Sequence, residues 1–214
     1  MRIVYINPNA TQAMTDGIVA AARAALPGAQ IAGLTNADGP PAIEGPEDGD
    51  AAVPGMLALL AKCRADAAVI ACFDDTGLAQ AQAMVPFPVL GIGQSAYVMA
   101  ELLGRKFSVV TSLAVSIPVI EENIARGGYA GNCASVRASG LPVLQIEAGG
   151  APVLTRLADE IALAQVDGAG AVVLGCAGMA PLTGALSARC TVPLIDGVSA
   201  SAHLAAAAIG FRAS

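Results

Sequence analysis

Strand-sized apolar runs alternate with longer alanine-rich stretches from one end of the chain to the other, which predicts parallel sheets with helices on their faces. In the first half the runs cover residues 3–6, 29–34, 67–72 and 88–91, and helical stretches begin near Thr11, Asp50, Gly77 and Gly93. The second half repeats the order at 107–110, 133–138, 170–176 and 192–195, with helices near Val115, Gly150, Pro181 and Val198. Between them, residues 36–49 are rich in Gly and Pro and read as a long loop able to cover a site, since loops of this length are usually functional or mobile.

The halves share more than their order. Cys72 follows the apolar run Ala68-Val69-Ile70-Ala71, and Cys176, 104 residues later, follows Val172-Val173-Leu174-Gly175. Phe87-Pro88-Val89-Leu90-Gly91 lies just beyond the first cysteine, and Val192-Pro193-Leu194-Ile195-Asp196 lies at nearly the same offset beyond the second. An internal duplication accounts for both matches. The expected fold is α/β, with two domains related by a pseudo-twofold axis, each an open four-stranded parallel sheet flanked by helices. The expected boundaries are 1–97 plus 198–214 for the first domain and 98–197 for the second. In an open parallel sheet, ligands bind beyond the carboxyl ends of the strands, so the active site is expected in the cleft between the domains. Asn7 to Asn9, Cys72, Thr111-Ser112 and Cys176 all fall at such ends.

Composition narrows the picture. The 214 residues suffice for one large or two small domains. Alanine inflates both the 55% hydrophobic fraction and the mean hydropathy of +0.64, and Gly, Pro, Asn, Asp or Gln interrupts every long apolar stretch, so no membrane span is expected. The N-terminal apolar run is strand-sized and ends at Asn7-Pro8-Asn9 rather than at a signal-peptide cleavage site, so the expected location is cytoplasmic. A net charge of −6 with no basic run argues against nucleic acid. Five cysteines, widely spaced and without a Cys-x-x-Cys pair, indicate neither a disulfide framework nor a metal site.

One strand-end cysteine is most simply packing, but two matched ones at ligand-side strand ends suggest a pair of acid/base groups facing each other. Inverting a carbon acid needs a base on one face and an acid on the other, and a thiolate with a thiol supplies both. The turns that follow, Phe73-Asp74-Asp75-Thr76-Gly77 and Ala177-Gly178-Met179-Ala180-Pro181, lead into helical patterns, with Asp75 or Thr76 as a cap for the first. Helix N-termini would draw both thiol pKa values from about 8.5 toward neutrality. Asp74 and Asp75 disfavour a thiolate at Cys72, whereas Cys176 has neutral sequence neighbours, so Cys176 is expected to ionise more readily. Backbone N–H groups of both turns, with Asn9 and the Thr111 and Ser112 hydroxyls, are candidates to hold a developing enolate oxygen.

The remaining inventory reads as structural. Cys63, Cys133 and Cys190 lie in or beside regular elements, and His203 sits in an alanine-rich helix without partners at metal spacing. The only lysines, Lys62 and Lys106, are not placed for a Schiff base, and neither a dinucleotide fingerprint nor a Walker A sequence is present. No cofactor is expected, and the expected partner is a small-molecule substrate.

Several segments, taken together and in order, carry a resemblance. They are Asn7-Pro8-Asn9-Ala10-Thr11, Ile43-Glu44-Gly45, Ile70-Ala71-Cys72-Phe73, Arg105-Lys106-Phe107-Ser108-Val109-Val110-Thr111, Cys133-Ala134-Ser135-Val136-Arg137, Leu174-Gly175-Cys176-Ala177-Gly178-Met179 and Pro193-Leu194-Ile195-Asp196-Gly197. On these the chain resembles the aspartate/glutamate/hydantoin racemase superfamily, in its hydantoin racemase branch. The resemblance implies cofactor-independent two-base chemistry, a homo-oligomer, and Cys72 and Cys176 as the catalytic pair. It also implies that Asn9, Ile43, Thr76, Thr111, Gly175 and Gly178 line the substrate site. Ser112, with Asp75 and Ala177 in the turns after the cysteines, completes the set of candidate contacts. Hydantoin racemases commonly carry Gly-Asp-Pro after Cys-Phe, where this chain has Asp74-Asp75-Thr76. The expected activity is racemisation of 5-substituted hydantoins or a related cyclic ureide such as allantoin. The alternatives are an amino-acid racemase acting on aspartate and a non-catalytic small-amide binding protein.

Overall fold

In the computed structural model, which describes residues 1–212, the chain forms two four-stranded parallel sheets. The first half runs β1 (Arg2–Asn7), α1 (Gln12–Ala25), β2 (Gln30–Thr35), α2 (Pro46–Ala61), β3 (Ala67–Ile70), α3 (Leu78–Met84), β4 (Val89–Gly91) and α4 (Ile92–Leu102). The second runs β5 (Phe107–Thr111), α5 (Ile117–Arg126), β6 (Cys133–Ala138), α6 (Val143–Ala148), α7 (Ala151–Val166), β7 (Ala171–Gly175), α8 (Thr183–Ser187), β8 (Leu194–Asp196) and α9 (Gly197–Arg212). All eight expected strands are present, displaced by at most a few residues.

The strand orders are β2-β1-β3-β4 and β6-β5-β7-β8, so the copies match in topology. In each sheet the chain leaves the first strand in one direction and later returns on its other side. That reversal opens a crevice at the carboxyl ends of the two central strands, β1 and β3 or β5 and β7. Cys72 follows β3 and Cys176 follows β7, so each stands at its sheet's crevice. The central strands are covered on both faces. Every residue of β3, β5 and β7 is buried, whereas the edge strands β2 and β6 are largely half-buried. Burying one such Val or Ile side chain contributes about 1.5–3 kcal/mol before the entropy cost of ordering it.

Helices cover the sheets by their apolar stripes; in α1 the buried Met14, Ile18 and Ala22 repeat every four residues. The C-terminal helix α9 packs against α4 and α1 of the first half. The Tyr5 hydroxyl of β1 donates to the Val198 carbonyl at 3.1 Å and lies 3.0 Å from Ser201 Oγ. Gly197 is required where α9 begins, because a Cβ there would stand 2.2 Å from the Ile92 carbonyl oxygen of α4. Helix α4 spans position 97 and also touches β7 and β8, so the two sheets share a helical layer. Of the expected 198–214 segment, residues 213 and 214 lie outside the described residues.

Three local expectations are corrected. Helix α2 starts at Pro46 rather than near Asp50, because Gly45 occupies the N-cap, Pro46 suits the first turn, and Glu47 and Asp48 complement the helix dipole. The loop is therefore 36–45. Helix α6 had no counterpart in the sequence pattern. Pro181 does not open an α-helix; it lies within a 3₁₀ turn, Ala177–Leu182, which precedes α8.

Candidate active site

The turns at the two crevices meet over one cavity, whose lining includes both Cys72 and Cys176. Asn9, Ile43, Thr111, Ser112, Gly175 and Ala177, all expected at the site, line it as well. Asp74, expected only as a charge beside Cys72, joins them, as do Met14, Ala71, Phe73, Ser116 and Val143, for which the sequence suggests no role. Every lining group belongs to a strand end, to the turn after it, or to the loop and helix ends that fold over it.

The first wall is built by a hydrogen-bonded asparagine turn. Buried Asn7 donates from Nδ2 to Asn9 Oδ1 (2.9 Å), the Thr11 carbonyl (3.2 Å) and Thr15 Oγ1 (3.0 Å), while its Oδ1 accepts from the Asn9 N–H (3.2 Å). The Thr11 N–H also donates to Asn9 Oδ1 at 3.0 Å. With its side-chain oxygen thus engaged and one Nδ2 proton donated to Met14 Sδ at 3.2 Å, Asn9 keeps a single side-chain N–H to offer a ligand.

The loop at 36–45 is strapped over this turn. Ala10 N–H donates to the Pro40 carbonyl (2.8 Å), Thr11 Oγ1 to the Pro41 carbonyl (2.7 Å), and Asn36 Nδ2 to the Pro8 carbonyl (2.8 Å). Glu44 then crosses to the other half, where its Oε1 accepts the Val143 N–H at the start of α6 (2.6 Å). The loop thereby carries Ile43 over the cavity.

On the second wall, Thr111 Oγ1 donates to the Gly175 carbonyl at 3.0 Å and ties β5 to β7. Its proton is spent on that strap, so the expected role as an enolate donor does not fit Thr111. The Ser112 hydroxyl makes no hydrogen bond among the described residues and remains available.

The two sulfurs stand in different turns. The Thr76 side chain and the Asp74 backbone N–H favour a thiolate at Cys72, and the Gly178 and Met179 backbone N–H groups favour one at Cys176. Thr76 and Gly178, both expected at the site, thus act on the sulfurs rather than on the cavity wall. Asp75 is elsewhere. It adopts φ +52°, and its carboxylate accepts the Gly93 N–H (3.0 Å) and the Gln94 N–H (2.7 Å), so it caps α4 across the sheet. Neither Asp75 nor Thr76 caps α3; Gly77 does, at φ +68°. The sequence suggests a local cap, but the nearest unsatisfied N–H groups in space belong to α4.

Burial overrides the turn donors in setting the thiol chemistry. It raises the Cys72 thiol far above the ordinary cysteine range, with the Asp74 charge adding to the effect, and it pushes Cys176 up to about 12. The expected drop toward neutrality is corrected, because desolvating a thiolate costs more than two or three N–H or O–H donors return. The expected order rests on neutral sequence neighbours at Cys176. Its surroundings are not neutral in space, however, since Asp74 and Glu44 both disfavour its thiolate. Burial likewise lifts the Asp74 carboxyl to about 7 and the Asp75 carboxyl to about 8. No lysine or arginine lines the cavity. Among the described residues no group of three or more His, Cys, Asp or Glu is arranged to hold a metal ion, and no helix is long and apolar enough to cross a membrane. Chemically, the site offers one half-buried and one buried thiol, hydrogen-bond donors at Asn9 and Ser112, and one carboxyl.

Comparison with known proteins gives a consistent picture. A family model described as Asp/Glu/Hydantoin racemase matches residues 3–205. The chain is 41% identical over 215 residues to a hydantoin racemase of Rhizobium meliloti, covering 98% of this chain and 89% of that protein. It is 37% identical to a hydantoin racemase of Pseudomonas sp. (strain NS671), covering 96% and 84%. Among solved structures, an allantoin racemase from Klebsiella pneumoniae superposes with a TM-score of 0.94 at 37% identity, covering 99% of this chain and 89% of that one.

Proposed function

We propose, from the premise that the chain belongs to the Asp/Glu/Hydantoin racemase family, that it racemises 5-substituted hydantoins or a related cyclic ureide such as allantoin, without a cofactor. The observation that carries this reading is one cavity lined by two strand-end cysteines and by no cationic side chain. A neutral ring suits such a site. Aspartate brings two carboxylates, which would meet the Asp74 carboxyl and no arginine or lysine, and burying unpaired charge is costly. The amino-acid reading is therefore disfavoured.

In the proposed reaction one sulfur, as thiolate, removes the proton from the ring's stereogenic carbon, while the other, as thiol, delivers a proton to the opposite face. The carbonyl beside that carbon takes up the electron pair as an enolate, and the remaining Asn9 Nδ2–H and the Ser112 hydroxyl would stabilise its oxygen. After turnover the sulfurs have exchanged protonation states, and the site accepts the opposite enantiomer. High thiol pKa values make each thiolate a strong base at the expense of its population at neutral pH. The binding-protein alternative predicts the same cavity without turnover. Polarimetry on single enantiomers of allantoin and of 5-substituted hydantoins decides: decay of optical rotation to zero is expected, with none for L-aspartate. A stable rotation for every ring compound would contradict the reading.

A further inference from the structure

We propose that Asp74 is a specificity-determining residue whose carboxyl group accepts a hydrogen bond from an N–H on the substrate's C5 substituent, favouring ureido or guanidino groups over alkyl and aryl ones. This deepens the ring reading above and rests on it.

Three observations carry it. First, Asp74 lines the cavity, and its backbone is pinned at the carbonyl, which accepts Asn123 Nδ2 from α5 at 2.9 Å. The side chain has no such engagement; its carboxyl makes no hydrogen bond among the described residues. Second, Asp74 shares one cavity lining with both sulfurs, and its charge weighs against a thiolate at each of them. A substituent on a carbon held between the sulfurs comes within reach of it. Third, the position has no counterpart in the duplicate. The residue two places after Cys176 is Gly178, so one half supplies a carboxyl and the other supplies no side chain.

The cavity lining includes the side chains of Met14, Ile43, Phe73 and Val143, which have no donor to give, and its polar members Asn9, Thr111, Ser112 and Ser116 make no hydrogen bond to that carboxyl among the described residues. An N–H-rich substituent satisfies it, whereas an alkyl or aryl group buries it without a partner. Both enantiomers can use the contact. During inversion hydrogen and substituent exchange faces, but the substituent only swings through the plane at the C5 edge of the ring and remains beside the same stretch of wall.

The test is kcat/KM for allantoin, which carries a 5-ureido group, against 5-isopropylhydantoin and 5-benzylhydantoin, in the wild type, Asp74→Asn and Asp74→Gly. A site built around one substrate N–H discriminates well beyond the tenfold scale of a methylene, so the wild type is expected to favour allantoin by about 30-fold or more. Asp74→Gly is expected to bring the ratio to within about threefold, by losing activity on allantoin and gaining it on the benzyl compound. Asp74→Asn, which keeps one acceptor and nearly the same shape, is expected to fall between and guards against a folding defect, checked by thermal unfolding. A wild type that prefers the alkyl compounds, or a ratio unchanged in both variants, would overturn the role of Asp74 while leaving the racemase reading standing. A wild type that turns over none of the three would overturn the ring reading and this assignment with it.

Discussion

The turn after Cys72 and the turn after Cys176 occupy equivalent places in duplicated sheets, yet they treat their sulfurs differently. The first uses a side-chain hydroxyl, a single backbone N–H, a left-handed Asp75 and a left-handed Gly77; the second uses two consecutive N–H groups at the head of a 3₁₀ turn. The first also brings Asp74 beside the cavity, where the second has Gly178. Duplication has kept where each thiol stands and not what stabilises its charge. Strand register fixes position and burial raises both thiols, whereas the four or five residues after each strand set what differs between them.

The comparison breaks most directly at the sulfurs themselves. If the halves are two complementary acid/base groups, Cys72→Ser and Cys176→Ser should each lower kcat/KM for racemisation by about 10³-fold or more, in the upper range for removing a general acid or base. Full activity in either variant would reduce the pair to packing.

A smaller effect separates the scaffolding of the two turns. Asp75→Ala should cost about 2 kcal/mol, since it strips two N–H groups of α4 of their partner. For a chain of this size that is about 4–8 °C in Tm. An unchanged midpoint would mean that solvent replaces the cap.

Next comes the difference in thiolate character. With one cysteine left in each variant, alkylation at Cys176 should run about tenfold faster than at Cys72 at equal pH. Both rates should still be climbing at pH 9, because burial holds both thiols above that value. Equal rates, or a plateau near neutrality, would show that the turns rather than burial govern the sulfurs.

The smallest expected effect is on stability against pH. The Asp74 carboxyl is raised by burial from 3.8 to about 7, so the folded chain keeps its proton where the unfolded chain has lost it. Its contribution is fully present below about pH 4 and is lost as the pH rises through about 7. Asp74→Asn should therefore flatten the fall in unfolding free energy between about pH 4 and 7, measured by denaturant titration. A parallel curve for wild type and variant would place the charge in solvent.

The sheet architecture was legible because strand length, alternation with helices and the repeated Cys–Pro spacing are local patterns. The helix boundaries failed where one signal had two meanings. Gly45-Pro46-Glu47-Asp48 reads as a loop by composition, yet it is also an N-cap, a first-turn proline and two dipole-compatible acids, and the structure uses it so. At the site, Cys72, Cys176, Asn9 and Ser112 were readable from their strand-end positions. Glu44 and Val143, 99 residues apart, were not, because nothing in sequence predicts which N–H a loop carboxylate will reach. Asp75 misled for the same reason: its short-range reading as a cap for α3 gave way to two N–H groups of α4 closer in space. Asp74 was visible as a charge beside Cys72, but its reach to Cys176 exists only in three dimensions.

The most direct test of the central claim follows one enantiomer of allantoin, or of a 5-substituted hydantoin the enzyme accepts, in deuterated water by mass spectrometry coupled to chiral separation. Two sulfurs acting from opposite faces predict that, early in the reaction, the inverted product carries one solvent deuterium while the remaining substrate carries almost none. Deuterium appearing equally in both enantiomers from the outset would indicate a single base working on both faces, and inversion without deuterium would exclude proton exchange through the cysteines.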